Sequence, residues 1–204
     1  MENEKGIKER WFELPFLYKV QLWAHLIAGV CGAISYGIVT KMIYSSVDVN
    51  LITERLILSS VIGIVLSVLW LTIQEKLFSW FIFFTVLECL SYTTLCIYTA
   101  FCGDYGSYLI WTTIIGGTIG HVVSGAGAKL HQKITDNEQY RTDYGYFMEI
   151  IGCGGILIGG CIALLFDIGV KLGFLIQLVS LVTFQLSDVY IYKTVTSPGF
   201  IKKE

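Results

Sequence analysis

Of the 204 residues, 54% are hydrophobic and only 15% charged, against roughly 25% charged in an ordinary soluble domain. Mean hydropathy is +0.67, which argues against a soluble globular fold. The formal net charge of −2 offers nothing to nucleic acid.

The charged residues divide the chain into six long apolar stretches. Each is near the roughly 20 residues that a helix needs to cross about 30 Å of hydrocarbon. In lipid a backbone must satisfy its own hydrogen bonds, so these stretches are read as helices. The strand alternation of a membrane barrel is absent. The expected fold is therefore all-α: a polytopic membrane protein built as a six-transmembrane-helix bundle.

In chain order, 1–19 reads as a cytoplasmic or interfacial segment. Acids are mixed with its bases, and the first apolar stretch is too long for a signal-peptide core. Within it, IKERWFELPFLYK sets Trp11, Phe12, Phe16 and Leu17 among charges. That suits a stretch lying on the membrane surface, and equally a plain charged tail. Helices are expected at about 20–40, 56–74, 77–101, 106–128, 144–166 and 172–192, within a transmembrane domain 20–192. Residues 193–204 form a cytoplasmic tail. The longest connection, KLHQKITDNEQYRTD, divides the helices three and three, the layout of an inverted repeat.

Orientation follows from lysine and arginine. Eleven of them (Lys5, Lys8, Arg10, Lys19, Lys76, Lys129, Lys133, Arg141, Lys193, Lys202 and Lys203) fall on one side. Lys41, Arg55 and Lys171 fall on the other. The positive-inside rule places both termini in the cytoplasm, and the plasma membrane is the expected location.

Five ionisable residues sit at membrane depth: His25, Glu88, His121, Glu149 and Asp188. Such groups are costly in lipid and usually face a bundle interior or a cavity. At helical spacing, His25 shares a stripe with Gln21, Gly29, Gly32, Tyr36 and Thr40. His121 shares one with Gly117, Thr118, Ser124 and Gly125, and Asp188 one with Gln177, Gln185 and Tyr192. Glu149 falls with Gly152, Cys153 and Gly160. These stripes suit the walls of a water-filled substrate or proton pathway, with Tyr36 among its candidates. They suit helix-to-helix hydrogen bonds equally well. His25, Glu149 and Asp188 are also near enough to helix ends to reach the interface. Gly116 and Gly120, and Gly155 and Gly159, have the G-x-x-x-G spacing that lets membrane helices approach closely. Glu149 is expected where the Gly155–Gly159 interface begins.

The six cysteines all lie in apolar stretches without metal-ligand spacing and read as small buried residues. No P-loop, H-E-x-x-H or G-x-S-x-G occurs, so neither an enzyme nor a metal or cofactor is expected.

The six-helix layout, the longer loop before helix 5 and the run NEQYRTDYGYFMEIIGCGGILIGG resemble one half of a major facilitator superfamily transporter. In that family a polar-Arg-x-x-x-Gly run often opens helix 5. The family's loop between helices 2 and 3 carries Gly and Asp followed by basic residues; WLTIQEKLFSW has neither. The resemblance implies alternating-access transport of a small solute after pairing with a second half, from a partner or a homodimer. It implies helices 1 and 4, with His25 and His121, at the central cavity, and helices 3 and 6 at the periphery. Two other readings stay open: a non-transporting immunity or accessory protein, and the substrate-binding component of an energy-coupled vitamin transporter.

Overall fold

The computed structural model describes residues 6–135 and 138–197. Every regular element in it is helical. Six helices are long and apolar enough to cross a membrane, the architecture of a multi-pass membrane protein.

The chain opens with a short helix, α1 (Ile7–Glu13). Pro15, with its fixed φ and no N–H, separates it from α2 (Phe16–Ser46). The interfacial stretch is thus a docked helix rather than a loose tail. Arg10 pairs with Asp143 at 2.8 Å, and Trp11 meets Trp23 and Phe147 edge-on. Ile7 and Phe12 stay exposed, as suits a helix at a lipid surface.

Asp48 starts α3 (Val49–Ser79) by accepting a hydrogen bond from the Asn50 N–H at 2.8 Å. The membrane-crossing part of α3 ends at Trp70, and non-helical backbone at Ile73 marks a kink beyond it. Trp80 alone separates α3 from α4 (Phe81–Cys102). Gly103 then turns the chain at φ 70°, a left-handed conformation that glycine adopts without steric cost. Asp104 caps α5 (Tyr105–Ile115). The same rod continues through a π-helical segment, Gly116–Gly120, into α6 (His121–Thr135). The last two spans are α7 (Glu138–Leu165) and α8 (Val170–Val195).

All six expected spans are present, but the helices run further than their apolar stretches. The connection expected between helices 1 and 2 shrinks to Val47 and Asp48, and helix 5 begins at Glu138 rather than 144. The long central loop is mostly helix, with positions 136–137 outside the described residues. Lys41, Arg55 and Arg141 all lie within helices; a charge does not end a helix, which stops where its backbone is capped.

At the centre, α2 packs extensively against both α7 and α8, and α8 also lies against α4 and α6. The fit of α2 to α7 comes from glycine. A Cβ on Gly155 would meet the Leu26 carbonyl oxygen at 3.0 Å, and one on Gly159 the Ala33 Cβ at 2.9 Å. The Gly155–Gly159 motif therefore does what its spacing implied. Glu149 does not border that interface: it is exposed, on the outward side of α7 with Tyr146 and Ile150. Six residues at 100° each carry it about two-thirds of a turn from Gly155.

Two apolar clusters close the bundle. At the end near both termini, Tyr18, Leu22, Phe81, Leu130, Tyr144 and Ile191 are buried together. At the other end, Val39, Ile43, Ile52, Leu95, Tyr108 and Phe174 are buried together. Polar groups occupy the layer between.

Candidate functional site

That polar layer begins on α4. Thr85, Glu88, Cys96 and Thr99 are buried and Tyr92 half-buried. Spacings of three and four place them on one face of the helix. Glu88, only 7% exposed, accepts a hydrogen bond from the Gln185 Nε2 of α8. The Gln185 Oε1 and the Thr85 and Thr99 hydroxyls are buried and have no hydrogen-bond partner among the described residues.

Space for these side chains comes from the π-helical segment. A Cβ on Gly120 would lie 2.8 Å from the Glu88 Oε1, and one on Gly116 3.0 Å from the Tyr92 hydroxyl. Gly116 and Gly120 thus form notches for two side chains four residues apart on α4. They are not a backbone-to-backbone contact of the Gly155–Gly159 kind. A π segment also widens the local helix and frees carbonyls from the regular ladder, and such segments frequently occur at functional sites.

Between the helices lies a cavity of about 580 Å³, with walls from α2, α3, α4, α5, the π segment and α8. This volume lies within the usual range of small-molecule sites. Both three-helix halves contribute. Its polar lining includes Ser35, Arg55, Glu88, Tyr92, Gln177 and Ser180. Arg55 donates from Nε to the Thr113 Oγ1 at 2.9 Å, and Thr113 in turn donates to the Leu109 carbonyl at 2.8 Å. Tyr108 donates to the Gln177 Oε1 at 3.1 Å. Tyr92 lines the cavity together with both Arg55 and Glu88. Among the described residues, no carboxylate lies within ion-pair distance of Arg55, and no cation within that distance of Glu88. A larger groove of about 1010 Å³ runs along α2 and α7. Its walls are mainly glycine, alanine and aliphatic side chains, so it lacks the buried polar groups that would define a solute site.

A second polar knot lies toward the end near the termini. Tyr144 donates to the Gln21 Oε1 at 2.6 Å, and Tyr18 to the Ile134 carbonyl. The His131 ring tilts against Tyr144, 5.5 Å between centroids. Asp188 is buried on α8, only 6% exposed. Gln185 and Asp188 sit one turn apart on α8 and link this knot to the cavity.

Of the residues singled out by sequence, Glu88 and Asp188 are brought into one buried region. They come from helices 3 and 6, which the family resemblance would have put at the periphery. Tyr36 borders the cavity while 72% exposed, so it stands at the mouth. His25 is half-buried, its Nδ1 3.0 Å from the Gln21 carbonyl and its ring against Phe184. His121 bonds Ser67 of α3 at 2.8 Å through Nε2. Neither histidine lines the cavity. Glu149 lies outside both polar regions. The residue that sequence reading passed over is Arg55, which had served only to mark a helix end. Its signal was its rarity, as one of three cations on the sparsely charged side. Among the described residues, no group of His, Cys, Asp and Glu is placed to hold a metal ion.

No protein-family model matches the chain, no curated protein matches it, and no solved structure matches it.

Proposed function

We propose that the protein is a membrane carrier that takes a small polar solute into the cavity between its two three-helix halves. The observation that supports this reading is the cavity itself. It is bordered by a buried carboxyl, Glu88, and by a guanidinium, Arg55, that has no ion-pair partner among the described residues. Charged groups in a membrane interior are costly enough that an ion or substrate path is their default explanation. Apolar clusters at either end of the polar layer suit alternating access, in which one end loosens while the other stays shut. With both termini cytoplasmic, the tightly packed cluster around Tyr18, Phe81 and Tyr144 is the inner closure, and Arg55 and Tyr36 lie toward the outside.

This remains compatible with a half-size facilitator-like protein in the plasma membrane, but both halves of one chain already line the cavity. A second reading draws on that fact: the chain captures solute for a larger transporter, as the binding component of an energy-coupled system does. Purified protein in liposomes separates the two. Uptake of a labelled polar solute by the chain alone supports the carrier. Tight solute binding without uptake, in vesicles shown to be sealed, supports the capture component. Neither binding nor uptake, across amino acids, sugars and vitamins, overturns both.

A further inference from the structure

We infer that the cavity recognises a zwitterion: an anionic group, carboxylate above all, held by Arg55, and a cationic ammonium-type group held by Glu88. This rests on the reading of the cavity as a solute site and names the chemistry of its solute.

Arg55 keeps its charge at any physiological pH. Its Nε–H is committed to Thr113, which fixes the plane of the guanidinium. Its two terminal nitrogens have no hydrogen-bond partner among the described residues. A planar fork of donors held by its stem is the arrangement that takes a carboxylate through two parallel hydrogen bonds. Thr113 is itself anchored to the Leu109 carbonyl, so the fork is positioned before any ligand arrives.

Glu88 has the opposite character. One oxygen accepts from Gln185 and the other faces the Gly120 notch, and no cation accompanies it among the described residues. Gln185 lies behind it and does not line the cavity, so its role is to hold the Glu88 carboxyl in place. An ammonium group has three N–H donors and no acceptor, so it suits the Glu88 carboxylate that lines the cavity.

Arg55 and Glu88 line the same cavity without pairing with each other, and Tyr92 lines it with them. A purely anionic solute would leave Glu88 unmatched, and a purely cationic one would meet Arg55 as a like charge. Only a solute with both charges satisfies both ends, and an unmatched buried charge is what makes the wrong ligand costly.

The test measures binding to the full chain in nanodiscs by calorimetry, independently of flux. The probes are glycine, glutamine, leucine and phenylalanine, which are zwitterions of increasing size. Each is compared with its amide, which keeps the cation alone, and its des-amino acid, which keeps the anion alone. At least one zwitterion is expected to bind, with both of its counterparts weaker by about tenfold or more. In Arg55→Gln that amino acid and its amide should bind alike, because the carboxylate has lost its partner. In Glu88→Gln the amino acid and its des-amino acid should bind alike. Arg55→Lys keeps the charge without the fork and should keep part of the preference, which covers the case of Arg55→Gln failing to fold. Equal binding of a one-charge counterpart to the wild-type protein overturns the inference, as does binding of none of the zwitterions at millimolar concentration. Zwitterion binding without flux would remove the carrier reading and leave the charge assignment. Flux of an uncharged solute alone would do the reverse.

Discussion

Single glycines have opposite duties in this protein, and alanine substitution separates them. Gly159 faces the Val30 backbone and the Ala33 Cβ of α2, neither of which can yield without moving the helix. Gly159→Ala should lower stability by about 1–3 kcal/mol, the usual cost of overpacking. Gly154 on the same helix has open space where its Cβ would be, so Gly154→Ala should be neutral or slightly stabilising. Thermal unfolding of both variants in one detergent checks the pair; equal losses would mean that α2 and α7 do not approach as closely as described. Gly120→Ala differs again, because the one close contact of its Cβ is the far end of the Glu88 side chain, with the Ile115 carbonyl at an ordinary 3.6 Å. The fold should survive while Glu88 is displaced. Zwitterion affinity should then fall a few-fold, about what one hydrogen bond contributes. Spacing alone could not tell these glycines apart, since Gly116–Gly120 and Gly155–Gly159 carry the same pattern. The difference lies in what the neighbouring helix presents: a backbone in one case, Tyr92 and Glu88 in the other.

At the scale of elements, the turn between α4 and α5 carries a pH-dependent cap. Hydrogen bonds from the Ser107 side chain and backbone N–H hold the Asp104 carboxyl below its ordinary value of 3.8. A carboxyl depressed in the folded state stabilises it above the unfolded-state value, and that contribution is lost as pH falls through the folded-state value. Asp104→Ala should therefore melt below the wild type at neutral pH. The gap should close on acidification below 3.8, whereas Asp104→Asn, which can still cap, should show little gap at any pH. Melting curves across that range are the measurement. The span α7 makes a different point. Its hydrophobicity and glycine motif were legible, and so was its packing on a neighbour. The direction of Glu149 was not, because several residues of α7 have equally plausible inward faces until the position of α2 is known. Glu149→Gln should leave solute affinity unchanged; a loss comparable to that in Glu88→Gln would place Glu149 back on the solute path.

For the whole molecule, the eleven-to-three distribution of Lys and Arg predicts sidedness in the membrane. In a cysteine-free background, Ser46→Cys at the exposed end of α2 should react with an impermeant maleimide added to intact cells. Thr142→Cys, exposed on α7 near the opposite end, should react only after the membrane is opened. The reverse pattern would invert the assigned orientation. Because six helical segments of one chain line the cavity, nanodiscs holding a single copy should bind zwitterion as well as those holding two. Binding confined to two-copy discs would show that a partner completes the site. The family resemblance implied a second half, from a partner or a homodimer, with His25 and His121 at the central cavity. His25 lies instead against Phe184 and His121 is bonded to Ser67, so the bundle itself satisfies these groups.

Six membrane-crossing helices, their order and the presence of acids among them were determined by sequence alone. Hydrocarbon thickness sets span length, and the absence of water forces the backbone into helices. Those constraints act on each segment separately and need no knowledge of its neighbours. Which polar groups meet was decided only by the tertiary structure. Glu88 and Gln185 are 97 positions apart, and Arg55 and Thr113 are 58. Each pair exists because glycine contacts and the π-helical segment set how closely, and at what rotation, whole helices lie against one another. A helix carries polar residues at several angles around its axis. Only the packed bundle determines which of them face a cavity, which face a neighbour and which, like Glu149, face outward.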